Sequence, residues 1–569
     1  MKKIVTAAIA IACAGAIFTS CSGSNPAASG SSSTASVAVG YSYGEEKTFH
    51  SDDPVTYTMS FSDAAWYAMQ DEWKTEGIFK EIENMTNVHL NITSYDSNDY
   101  NQKVNLAINS GSAAYIIPKV YSEDQYVAGG GVVPVSDYTQ YMPNFTAFVN
   151  KYNMNPDLDT IRQNDGKFYR LPGMHQAALQ DYTIMVREDI FEAAGYKVRE
   201  LEKDWTWETL HDVLVGVKKY MVSKGMCKES DYIWSDVWCG ESGKGNGGNL
   251  LKLMGASYNV LSGWAISGSN GGIKFDWKKR EFYSSSISED YKKLITVANS
   301  FVKDGLLDPE TFTQNDEVAH NKFYSGKTVL MSTNRGQMAN DILGVQKILG
   351  NKAKCYVTAY PSGTTKNLAE TSRLECGVML SQKAREELGE AGFIKLVRFV
   401  DWLFYSKEAY SLIKWGPEGK TWEWKTVNGA KVKSLLPGYK CGGLGLSGAE
   451  SDVDIRLKWG FAGGNFFYGH STAESTDNFT PDVQDLYARY GKYKTVATVD
   501  PKAKPTEDQR EQLNLWAVPL IDNINAWTLK FVTGQKDINN DWNEYLSSCK
   551  NLNVDKIVNL TNEIYKNQK

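Results

Sequence analysis

Hydrophobic positions change their period several times along the chain, and each change marks a predicted element. Val55, Tyr57, Met59 and Phe61 alternate with polar residues and predict a strand, whereas Phe79, Ile82 and Met85 fall at helical spacing between Trp73 and Met85. Val88-His-Leu-Asn-Ile92 alternates again, Tyr100, Val104, Ala107 and Ile108 predict a helix, and Ala114 to Val120 reads as extended. The order β-α-β-α-β implies a parallel sheet with right-handed crossovers. In such sheets ligands sit beyond the carboxyl ends of the strands, which points to Trp66 in the loop after the first strand and to Ser112 in the turn before the third. Packing is the rival reading for Trp66.

Beyond this region, Tyr182 to Val186 predicts a strand, and Thr206 predicts an N-cap ahead of Leu210, Val213, Leu214, Val217 and Met221 at helical spacing. An amphipathic helix is expected from Ile287 to Asp304, ended by Gly305 and Pro309. The stretch Phe323 to Gly363 holds an apolar strand, Val329 to Met331, whose polar tip is Ser332-Thr333-Asn334-Arg335. A helix-length insert follows, then a second extended run, Cys355 to Tyr360, stopped by Pro361-Ser362-Gly363. We read it as a crossover between two lobes. Glu375 to Leu380 predicts a further strand and Ala384 to Tyr405 a long helix with Phe393, Val397, Val400 and Phe404 inward.

With 569 residues the chain exceeds what one core of about 250 to 300 residues supports, so at least two lobes are expected. Net charge is −6 with no basic tract, which excludes nucleic acid as the expected partner. Lys2-Lys3 followed by an apolar run from Ile4 to Phe18, shorter than the roughly 20 residues that span a bilayer, reads as a secretion signal over residues 1–20. Residues 22–51 are rich in Ser, Gly, Ala and Asn, and predict a flexible tether. No CxxC or HExxH occurs, so neither metal nor cofactor is expected. Outside the cytosol six further cysteines allow disulfides, for which Cys227 with Cys239 and Cys355 with Cys376 are the sequence-adjacent candidates.

Aromatic residues reach 12%, with 16 Trp and 32 Tyr, enough for large aromatic cores or for a surface on which sugar rings stack. Trp234, Trp238 and Trp264 flank a glycine-rich loop, Gly240 to Gly248, which lacks the GxxxxGK[ST] pattern of a phosphate cradle, and at least one of the three is expected to face a sugar. Taken together, several motifs give a resemblance. Thr206-Trp207-Glu208 opening a helix, Tyr360-Pro-Ser-Gly363, the run Lys414-Trp-Gly-Pro-Glu-Gly-Lys-Thr-Trp422 after a long helix, and Phe531-Val-Thr-Gly534 near the end resemble the extracytoplasmic solute-binding proteins of ABC importers, in the branch that takes maltose and alginate oligosaccharides. Phe18-Thr-Ser-Cys21 resembles a bacterial lipobox, with Phe18 where an aliphatic residue is usual. The calcium loop of the alginate-oligosaccharide branch is not matched, because Val222 to Asp231 spaces too few oxygen ligands.

The resemblance implies an α/β, two-lobed type II binding-protein fold, each lobe a mostly parallel sheet flanked by helices. Lobe one would comprise residues 52–175 and 361–412, and lobe two residues 182–356 and 415–569. His175, Gln176 and Tyr182 would lie at the cleft floor, Asn334 and Arg335 at a strand tip, and Trp415 and Glu418 at a turn facing the cleft. It implies a monomer lipid-anchored through Cys21, outside the cytoplasm, that binds a soluble oligosaccharide for the importer's membrane subunits and does no chemistry of its own. The alternatives are a surface polysaccharide-degrading enzyme and a peptide receptor of the same fold.

Overall fold

The computed structural model describes residues 40–568 except 128, 241–245, 428, 464 and 467–469. The secretion signal, Cys21, most of the expected tether and the centre of the glycine-rich loop lie outside the described residues. The tether is shorter than its composition implied. Residues 41–51 form a hairpin, β1 (Tyr41–Gly44) with β2 (Lys47–Ser51), that seats Phe49 fully buried among Tyr41, Tyr43 and Phe399. Tyr43 hydrogen-bonds the buried Asp401, which burial raises to about pKa 6 despite bonds from Tyr43, Asn144 and Phe145. Alternating aromatics on a short hairpin supply the apolar area that Ser and Gly cannot.

Two sheets organise the rest. The first contains β3 (Val55–Asp63), β4 (Val88–Asp96), β5 (Ile116–Val120) and β6 (Leu171–Met174). The second contains β7 (Tyr182–Arg187) and, after a hairpin of β8 (Ile273–Asp276) and β9 (Glu281–Ser284), β10 (Leu330–Asn334) and β11 (Cys355–Thr358). The chain then returns to the first sheet through β12 (Leu374–Leu380). Strand order is β4-β3-β5-β12-β6 in the first and β10-β7-β11 in the second. β3 runs parallel to β4 and β5, while β12 is antiparallel to β5 and β6, and β7 is antiparallel to β10 and β11. The antiparallel strand in each sheet is the one that arrives by crossover from the other, so the second sheet pairs only antiparallel, which corrects the mostly parallel sheet expected in each lobe. Pro172, unable to donate a ladder bond, sits in the edge strand β6.

Each sheet carries its own core. One gathers Ile184 through Leu368 and Phe479 through Ile557; the other gathers Phe49 through Met174 and Cys376 through Phe466. This corrects one expected boundary. Cys441, Leu444, Ile455, Phe461 and Phe466 pack with the first sheet, whereas the sequence reading put everything after residue 415 in lobe two. The long helix Gln382–Tyr405 is broken at Gly389, whose φ of 62° leaves the right-handed region. Thr206 closes a capping box with Thr209 at the start of the Trp207–Ser223 helix, as its sequence predicted. No helix among the described residues is long and apolar enough to cross a membrane.

The six described cysteines are free. Cys355 lies in β11 and Cys376 in β12, so the adjacency in sequence separates into two sheets. Cys239 is fully buried in the second core, and Cys227 is only partly buried against it.

Candidate ligand-binding cleft

The register of the second sheet sets one wall. Asn334 pairs with Tyr182 at the end of β10 and β7, and the Arg335 amide donates to the Asp181 carbonyl at 3.1 Å. The Arg335 guanidinium then forks onto the Asp181 carboxylate, Nε to Oδ1 at 3.0 Å and Nη2 to Oδ2 at 3.2 Å. Burial works against the Arg335 charge, but Asp181 together with Tyr487, Tyr410 and Glu375 outweighs it and raises the pKa. The Tyr487 hydroxyl also donates to Asp181, at 3.2 Å. The Asp181 amide donates to Glu370 Oε2 at 2.6 Å, and Glu370 Oε1 receives Lys252 Nζ at 3.0 Å. Gln180 Oε1 accepts the amides of Ala369 and Glu370 and so fixes that carboxylate.

Lys252 is almost wholly buried, its ammonium 3.7 Å from the Tyr182 ring centre and 4.8 Å from that of Trp264. Desolvation lowers its pKa, with Glu370 opposing. Trp238 and Trp264 each meet Tyr182 edge to face at 5.2 Å. The three rings and the ammonium form one rigid block.

The facing wall comes from the first sheet. His175 Nε2 lies 3.0 Å from Glu375 Oε2, and Arg170, buried in an ion pair with Glu123 at 2.8 Å, donates to the Glu375 carbonyl at 2.6 Å. Burial alone would raise the pKa of Glu375, but His175, Lys119 and Arg335 hold it low. Pro118 lacks a donor and Lys119 takes a left-handed φ of 61°, while the pairing register of β12 on β5 slips between Gly377 and Met379. That break turns the chain just after β5. Lys119 Nζ sits 3.4 Å from the Tyr121 hydroxyl.

Two cavities result. One of about 410 Å³ is lined by His175, Asp181, Arg335, Glu370, Glu375 and Tyr410, from both walls. The other, about 260 Å³, is lined by Trp66, Tyr67, Tyr100, Lys119, Tyr121 and Asn465 at the carboxyl ends of β3 and β5. Trp66 is 69% exposed, Tyr121 65% and Trp264 44%. Arg456 stacks on Trp66, its guanidinium 4.8 Å from the ring.

Of the sequence candidates, Trp66, His175, Tyr182, Trp238, Trp264 and Arg335 are thus brought to these walls. The others are not. Ser112 bonds Ser110 at the amino end of β5, because the helix Tyr100–Asn109 carries the chain back across the sheet before β5 begins. Trp234 is fully buried against Phe301, and its backbone bridges Leu330 as an extra sheet position. Trp415 is buried too, its indole donating to Asp477 at 3.0 Å. Asn334 spends its carbonyl capping Gly336 and Gln337, and Gln176 accepts the Thr472 amide. Glu418 is exposed on a turn whose Lys420 pairs with Glu81, on the helix Ile78–Thr86.

A family model described as bacterial extracellular solute-binding protein matches residues 77–398, more than half of the chain. The chain belongs to that family. No curated protein sequence matches it. Among solved structures it is similar to the alginate-binding protein AlgQ2 without calcium ion, with 17% identity, TM-score 0.65, and coverage of 91% of this chain and 99% of that one. It is similar also to an HMO-binding, ABC-transporter-associated solute-binding protein of Bifidobacterium longum infantis, at 14% identity and TM-score 0.64 over 90% and 98% of the two chains. The S. pneumoniae substrate-binding protein FusA in complex with kestose gives 16% identity and TM-score 0.63 over 90% and 99%. These likenesses establish the two-lobed fold that the motifs implied.

Several residues on this solute-binding protein's cleft walls went unread in the sequence. Tyr121 follows β5 as Trp66 follows β3, so the same carboxyl-end rule finds it. Asp181, Lys252, Glu370 and Tyr410 carry no local signal, since what joins them is the packing of four separate segments.

Proposed function

We propose that this protein captures a soluble oligosaccharide between its lobes and delivers it to the membrane subunits of an ABC importer. It acts as a monomer outside the cytoplasm, held at the membrane by lipid on Cys21 and by a tether running to about Gly40. Lobe one would comprise residues 41–174 and 374–466, and lobe two residues 182–358 and 479–568.

One observation carries the reading. Exposed Trp66, Tyr121 and Trp264 are joined on opposing walls by fixed polar groups, His175, Glu375, Asp181 and Arg335. Indole and phenol faces suit the CH faces of sugars, and clamped carboxylates and guanidinium groups suit their hydroxyls. The solved neighbours are named for alginate, HMO and kestose, which supports the same class. Closure needs a ligand that touches both walls, or it has no preference for the closed state.

A polysaccharide-cleaving enzyme needs one carboxyl group held as an acid beside a second. Burial and the neighbouring Asp181 charge raise the pKa of Glu370, but Lys252 is bound to it at 3.0 Å, and Asp181 and Glu375 each lie against a basic side chain, which favours a receptor. The test is incubation with oligosaccharide and peptide mixtures, followed by product analysis and a melting scan. A raised melting temperature with sugars and no products is expected. Sugar fragments in the mixture would make it an enzyme, and a shift with peptides alone would make it a peptide receptor.

A further inference from the structure

Resting on the carbohydrate reading, we infer that the cleft selects neutral oligosaccharides and rejects uronates, because each charge of the larger cavity is matched inside the protein. Arg335 has a planar donor set able to fork onto a ligand carboxylate, and that fork is filled by Asp181 at 3.0 and 3.2 Å. Lys252 is the second cation of this wall. It is bound to Glu370 at 3.0 Å and covered by the Tyr182 and Trp264 rings. On the facing wall His175 is bound to Glu375 at 3.0 Å, and the same carboxylate feels the Lys119 charge. Arg456 lies on the Trp66 ring face and lines neither cavity.

Asp181 and Glu370 therefore match Arg335 and Lys252, and Glu375 is held by His175. A uronate entering this space meets three carboxylates and must displace Asp181 from a bidentate pair before it gains a comparable one. Such an exchange offers no net hydrogen bonds and adds like-charge repulsion. A neutral sugar uses the same groups without displacing them, since each carboxylate keeps lone pairs for hydroxyl donors. The same geometry makes Asp181, rather than Arg335, the residue that sets charge selectivity.

Calorimetry on the full chain, with neutral gluco-, manno- and fructo-oligosaccharides against oligogalacturonates and alginate oligomers of matched length, tests this. Neutral ligands are expected to bind at least about tenfold tighter. Asp181→Asn, which leaves Arg335 unmatched, should narrow or reverse that preference, and Asp181→Asn with Arg335→Gln should restore it. Glu375→Gln on the other wall gives an independent variant should Asp181→Asn fail to fold. Uronates binding as tightly as neutral sugars to the unaltered protein would overturn the selectivity and leave the carbohydrate reading standing. Binding of neither set would overturn that reading, and the selectivity with it.

Discussion

Two tryptophans with the same side chain have opposite fates here, and burial separates them. Trp66 is 69% exposed beside a cavity, so Trp66→Ala should weaken oligosaccharide binding by roughly 1–2 kcal/mol, about five- to thirtyfold, with little change in melting. Trp234 is fully buried, so Trp234→Ala should cost about 3–5 kcal/mol of stability instead. Isothermal titration paired with urea unfolding separates the two, and equal unfolding midpoints for both variants would contradict this reading. His470 supplies a pH effect at the same scale. Burial, with His175 adding to it, drops its pKa from 6.5 to about 3 while its ring packs on Tyr410 at 4.2 Å. Between those values the unfolded chain binds a proton that the folded chain refuses, so stability is lost as pH falls below 6.5. The slope is about 1.4 kcal/mol per pH unit, and His470→Phe should remove it from urea midpoints taken at successive pH values.

At the scale of elements, the β1–β2 hairpin shows where composition misleads. Ser, Gly and Ala dominate residues 22–51 on average, yet Tyr41, Tyr43 and Phe49 suffice to dock residues 41–51. A chain starting at Val55 should melt several degrees below one starting at Gly40, and Phe49→Ala should lose about 3–5 kcal/mol. Identical melting of the two chains would return the hairpin to the tether. Strands and helices with a clean period were legible in sequence: β3, β4, the Trp207–Ser223 helix and its Thr206 cap all follow local rules. Ser112 was misplaced for a reason that is also local in origin. A turn before a parallel strand lies at its amino end, whereas the ligand-facing turns come after the strands.

For the whole molecule, the contacts that tie the two cores decide how the cleft behaves. Arg510, near the start of the helix Glu507–Val532, donates to the Asp124 carbonyl at 2.5 Å, and Asn164 donates to the Pro505 carbonyl at 3.3 Å. Both bonds join segments of different sheets, so they hold only when the lobes approach. Arg510→Ala should therefore lower oligosaccharide affinity severalfold though its side chain lies outside the cavity that Arg335 lines. Calorimetry alongside small-angle scattering checks it, the variant showing a larger radius at the same ligand concentration. A ligand at a hundred times its Kd should add about 2.7 kcal/mol to unfolding free energy if it binds only the folded state.

By itself the sequence determined the class of fold, the order of most elements and the family, because these rest on residue spacing within short windows. It placed Trp66 in the loop after the first strand, with packing left open, and Arg335 at a strand tip for the same reason. Only the tertiary structure decided that Asp181 fills the Arg335 fork, that Trp234 and Trp415 are core, and that Cys441, Leu444, Ile455, Phe461 and Phe466 pack with the first sheet. Each of those depends on groups far apart in the chain meeting in a packed interior. No local pattern encodes which partner a buried charge or ring will find there.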